Sequence, residues 1–158
     1  MNQQFKTLAD LKDIISDLEK IVARPTLHLS HPTLYRKRDT AAGDRIIKGV
    51  RVKDWFFSED EKWIKAHDQM GLSFSSSFSN LKGVYKQKKK HNQGKKVDVY
   101  WILEAADLPA DMAFVKDKRK SGHYYLTVTK DMTVPDLVKK LKKIARDMTK
   151  IKEGGEYL

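Results

Sequence analysis

Apolar residues recur every three or four positions from Phe5 through Leu8, Leu11, Ile15, Leu18 and Val22, which is one face of a helix. The spacing predicts an N-terminal helix over residues 1–24, closed at Arg24-Pro25 because the residue before a proline avoids helical backbone. Thr26–Ser30 alternates as a short strand does, and Thr33–Arg38 resembles a second one. Ser58 followed by Glu59, Asp60 and Glu61 has the form of a capped helix start, ending near Met70-Gly71. From Gly71, a strand runs into a serine-rich loop through Ser79. Leu72 and Phe74 lie on one side of it, and Ser73, Ser75 and Ser77 on the other. A basic loop is predicted at 82–96. Val97–Leu103 is the strongest strand by its β-branched and aromatic content, with further strands at Met112–Val115 and His123–Thr129. Thr133 caps a C-terminal helix over 133–152, with Pro135 in its first turn and an apolar stripe at Leu137, Leu141, Ile144, Met148 and Ile151. This order predicts an α+β fold: a single domain over 1–158, with a central mixed or antiparallel sheet flanked by N- and C-terminal helices.

Composition narrows the class. At 40% hydrophobic and 34% charged, the chain is too apolar for a disordered protein and too charged for a membrane protein, and no apolar run reaches a spanning length. It has no cysteine, which removes disulfides, thiolate metal sites and thiol nucleophiles. Met1–Lys12 has no apolar segment of the signal-peptide kind, so synthesis in the cytosol is expected, and export only by a machine that needs no cleaved signal. A net charge of +11 predicts an anionic partner.

The candidate chemistry is sparse. The five histidines, His28, His31, His67, His91 and His123, form no metal-ligand spacing, and neither a phosphate-cradling glycine loop nor GxSxG occurs. Lys82–Lys96 could grip nucleic-acid phosphates or be a solvated loop. Arg36 could fork onto a diphosphate or be a surface arginine beside Lys37 and Arg38. Ser75, Ser76 and Ser77 could bind a ribose or an amide, or simply build a turn. His123, after Gly122, could be an acid, a base or a ribose ligand, with Tyr125 nearby. Glu104, at the end of the strongest strand, could polarise a ribose hydroxyl. Alternation along the strands gathers Arg36, Ser75, Ser77, His123 and Tyr125 on one side of the sheet.

An arginine ending an early strand, an aromatic-Ser-x-Ser strand and a later polar strand residue resemble the layout of ADP-ribosyltransferases: Arg36, then Ser75 and Ser77 after Phe74, with the third element left open. No Gln/Glu-x-Glu occurs on a late strand. Leu34-Tyr35-Arg36, Ser75–Phe78, Asp107–Met112, Asp117, Gly122–Thr127, Met132 and the helix from Val134 are together similar to a family of type VI secretion-exported cytoplasmic toxins. The resemblance implies an ADP-ribosyltransferase-like fold, NAD as substrate and no metal. It implies Arg36, Ser75, Ser77, His123 and Glu104 as catalytic and Arg36, Ser75, Ser76 and Tyr125 as NAD-binding. It further implies an acidic immunity or antitoxin partner, no membrane, and a protein cytoplasmic in its producer that acts in a target-cell cytoplasm. Two other functions fit the residues. One is a metal-independent toxin ribonuclease using His123, His31, Arg36 and the lysine loop. The other is a basic nucleic-acid-binding module.

Overall fold

The computed structural model describes residues 21–27, 32, 34–36, 45–91 and 97–150. Residues 1–20, His28, His31 and Ile151 lie outside that set, and with them most of the expected N-terminal helix. The elements are β1 Ile21–Leu27, β2 Ile46–Ile47, β3 Val50–Arg51, β4 Trp63–Ile64, β5 Leu72–Ser75, α1 Phe78–His91, β6 Val97–Leu103, β7 Met112–Lys116, β8 His123–Val128, β9 Met132–Thr133, α2 Val134–Asp147 and β10 Thr149–Lys150. The main sheet has the order β10-β6-β1-β5-β8-β7. Every described pair in it is antiparallel, so the mixed alternative falls away.

Residues 21–24 are strand, not the end of a helix. The β-branched Ile21-Val22 begin a seven-pair ladder with β6, from Ile21–Leu103 to Leu27–Val97, and this long-range pairing overrides the helical spacing. Pro25 has no N–H to give to a second ladder. On the other side of β1, pairing with β5 is reduced to one pair, Ala23 with Ser75.

Ser58 and its acids also build something other than a helix. The Ser58 hydroxyl donates to Asp60 (2.7 Å) and accepts from the Trp63 N–H (3.1 Å), and these short-range bonds close a turn. The turn sends Trp63-Ile64 back to pair with Thr133 and Met132. Leu34–Arg36 form a bend rather than a strand. Lys82–His91, expected in a loop, belong to α1: Leu81 and Tyr85 are buried one turn apart, and the lysines that follow Tyr85 are good helix formers. α2 begins as expected, with the Thr133 hydroxyl accepting from the Asp136 N–H, but stops at Asp147. Met148 turns the chain so that Thr149 and Lys150 pair with Trp101 and Tyr100.

Register assigns the two faces of the sheet. Val22, Leu72, Phe74, Tyr100, Ile102 and Leu126 share one face and form the main core with Leu137, Leu141 and Ile144 of α2. Ala23, Ser75, Trp101 and His123 share the other, which α1 covers.

Candidate functional site

β5 passes into α1 through Ser76 and Ser77, and hydroxyl chemistry fixes that corner. Ser77 stands at the cap position, its Oγ accepting from the Asn80 N–H at 3.2 Å. Asn80 Nδ2 donates to Ser75 Oγ at 2.6 Å and pins the helix to the strand. The Ser76 N–H donates to the Gly122 carbonyl at 2.9 Å, drawing the β7–β8 turn against the same corner. Gly122 has φ 74°, and a Cβ there would collide with the Ser77 hydroxyl, so a side chain is excluded on both counts.

Between α1 and this turn lies a cleft of about 490 Å³, lined by Ser77, Ser79, Asn80, Gly83, Val84, Gln87, Lys120 and Ser121. Its volume falls in the roughly 300–1,000 Å³ range of small-molecule sites. Its lining mixes hydroxyls, amides and Lys120 with Gly83 and Val84 and contains no acid, and the N-terminus of α1 adds the positive end of a helix dipole. In the wall, Asn80 Oδ1 is buried and accepts no hydrogen bond among the described residues.

Behind the wall, Ser75 and His123 are register partners, both buried. His123 Nδ1 lies 2.8 Å from Asp117 Oδ2, and the Arg119 N–H donates to Asp117 Oδ1 at 2.8 Å. The Tyr125 phenol also bonds Asp117, and its ring meets His123 edge-on with centroids 4.9 Å apart. Burial pushes the Asp117 carboxyl up, but the bonds from Arg119, His123 and Tyr125 outweigh it and hold the group below the usual carboxylate range. Burial, with the Asp117 charge beside it, pushes the Tyr125 phenol up.

Arg36 does not join this group. Its N–H donates to the Gly49 carbonyl at 2.8 Å, and it lines a separate hollow of about 10 Å³ with Arg24, Arg51, Asp54 and Trp55. Its neighbour Arg24 is placed by alternation along β1. Ala23 faces Ser75, so Arg24 faces away, its guanidinium 6.0 Å from the Phe74 ring and donating to the Ser73 carbonyl at 2.8 Å. Arg36 lies beside Arg24, on the main-core side of the sheet. Burial, then repulsion from Arg51 and Arg36 against the attraction of Asp54, lowers Arg24 to about 10. Lys88 of α1 falls to about 8, from burial and then the repulsion of Arg24, Arg36 and Arg51. Glu104 is also apart: it follows β6 and bonds Tyr124, whose phenol burial and that carboxylate push up. Among the described residues no group of three or more histidines and acids could hold a metal ion.

Ser75, Ser76, Ser77, His123 and Tyr125 are therefore brought together, without Arg36 or Glu104. Asn80, Gln87 and Lys120 of the cleft were not singled out from the sequence. Ser77 with Asn80 three residues later is a helix-start spacing that could have revealed the first.

Fold and cleft define the class: a small antiparallel α+β protein with a cleft of about 490 Å³ between α1 and the β7–β8 turn. The chain belongs to the Tse2 ADP-ribosyltransferase toxin family, whose model matches residues 22–152. The match agrees with the toxin family that Leu34-Tyr35-Arg36, Ser75–Phe78 and Gly122–Thr127 resemble. No curated protein and no solved structure matches the chain.

Proposed function

We propose that this protein is an ADP-ribosyltransferase toxin that takes NAD as substrate, and that NAD lies in the cleft between α1 and the β7–β8 turn. The carrying observation is that cleft. It is large enough for a nucleotide, free of acids, and walled by hydroxyls and amides with one lysine beside Gly83 and Val84. Lys120 and the N-terminus of α1 suit a diphosphate. Ser77, Ser121, Gln87 and the unpartnered Asn80 carbonyl suit ribose hydroxyls and the nicotinamide amide. Ser75 holds Asn80 in place, and His123, its strand partner, reaches the reacting ribose. Arg24, Arg36 and Arg51 act at longer range, as a positive field that draws the dinucleotide and its target. An acidic immunity protein neutralises the toxin, which acts in the cytoplasm of a target cell.

The test pairs induced bacterial expression with transfer of labelled ADP-ribose from NAD. Gln87→Ala and Lys120→Ala touch only the cleft rim, so both are expected to lose transfer and toxicity while melting like the parent. Full transfer by both variants would put NAD elsewhere. A second function, nucleic-acid binding, is favoured by Lys82, Lys86 and Lys90, exposed at four-residue spacing along α1. It predicts salt-steep RNA binding and no transfer. A ribonuclease is disfavoured, because Arg36 lies in a separate hollow, apart from His123 and Asp117.

A further inference from the structure

Asp117 and His123 close the β7–β8 turn twice. The Asp117 N–H donates to the His123 carbonyl at 2.9 Å, and the side chains meet at 2.8 Å. The carboxylate is also bonded by the Arg119 N–H and the Tyr125 phenol, so three donors fix it in place. Both side chains are nearly closed to solvent, at 10% for His123 and 7% for Asp117. An ionised carboxylate only accepts hydrogen bonds, so the histidine nitrogen facing it must carry a proton. In the neutral ring the other nitrogen, Nε2, then has a lone pair and no hydrogen. The ring lies on the sheet face of Ser75 and α1, the face that carries the cleft.

We propose that Asp117 is a positioning residue: it fixes the His123 imidazole with its proton on Nδ1, so that Nε2 accepts a hydrogen bond from a ribose hydroxyl of the nucleotide bound beside Ser75. The role rests on the NAD reading of the cleft and extends it to the orientation of one ring. A hydroxyl held this way gives electron density to the ribose as the bond to the leaving nicotinamide breaks, and no proton needs to leave the ring. Tyr125 supports the arrangement from the side, its edge against the imidazole and its hydroxyl on Asp117. Gly122 lets the turn come close enough to Ser77 for His123 to enter β8 opposite Ser75.

Asp117→Asn separates positioning from simple support. The amide keeps the size of the carboxylate and its carbonyl still accepts from Arg119, but its NH₂ donates toward Nδ1. The ring proton is thereby moved to Nε2, which turns an acceptor into a donor. Nitrogen-15 NMR of the ring reads the tautomer directly. The wild type is expected to carry Nδ1–H, and the variant Nε2–H with a closely similar melting temperature. Transfer should fall by on the order of a thousandfold or more, with turnover affected far more than KM for NAD. A wild-type ring protonated on Nε2 would overturn the proposal, and that spectrum needs no variant to fold. So would a variant with the switched tautomer and undiminished transfer and toxicity. If the wild type transfers no ADP-ribose, the NAD reading of the cleft is lost, while the tautomer and the toxicity of Asp117→Asn still decide the role of Asp117.

Discussion

Lys88 shows how one residue records its surroundings. It stands on the buried side of α1, near Arg24, Arg36 and Arg51, with Asp54 as the opposing charge, and titrates near 8 instead of 10.5. Between those values the unfolded chain binds more protons than the folded one, so stability should rise with pH through that window. Below it, the cost of burying the charge, with the repulsion added, is present in full. Urea midpoints followed across the window should climb for the wild type and flatten for Lys88→Met, which keeps the stem and removes the charge. Parallel curves for the two proteins would mean that Lys88 is not held among the arginines. Legibility at this scale was uneven. Ser75, Ser77, His123 and Tyr125 were singled out by residue type and position, and they do lie together. Arg36 was misplaced because residues 34–36 form a bend tied to Gly49, not a strand, and lie beside Arg24 of β1. With the strand starting at Ile21, alternation puts Ala23 toward Ser75 and Arg24 away from it.

Among the elements, α2, β6 and β8 were written plainly. α2 carries its stripe of Leu137, Leu141 and Ile144 at helical spacing, and all three are buried against the sheet. Leu141→Ala should therefore cost about 2–5 kcal/mol, the usual range for a buried leucine, in denaturant melts. A loss of a few tenths would mean the stripe is not core. α1 was harder to see. Its inward side offers Leu81 and Tyr85, with Gly83 between and a run of lysines after, and it depends on the sheet beneath it and on the Ser75–Asn80–Ser77 corner. β1 was hidden by an apolar spacing that continues the preceding helical one, and only its ladder with β6 decides the matter. β10 is two residues long and exists by pairing with Trp101 and Tyr100, a contact no local pattern announces.

The whole molecule is strongly cationic. Net charge of +11 is carried in part by exposed Lys139, Lys142, Lys143 and Arg146 on α2, opposite in the fold to the α1 cleft. An acidic immunity protein should bind with a rate that falls steeply as salt screens this charge. Stopped-flow association over rising ionic strength measures it, and a flat rate would remove steering from the mechanism. The central claim, that NAD occupies the cleft between α1 and the β7–β8 turn, is tested most directly by mapping backbone amide shifts during an NAD titration. The predicted result is saturable change at Ser77, Ser79, Gly83, Ser121 and Gly122, with Arg36, Gly49 and Arg51 unmoved. Changes gathered around Arg36, Gly49 and Arg51, or no change in a protein that remains toxic, would contradict it.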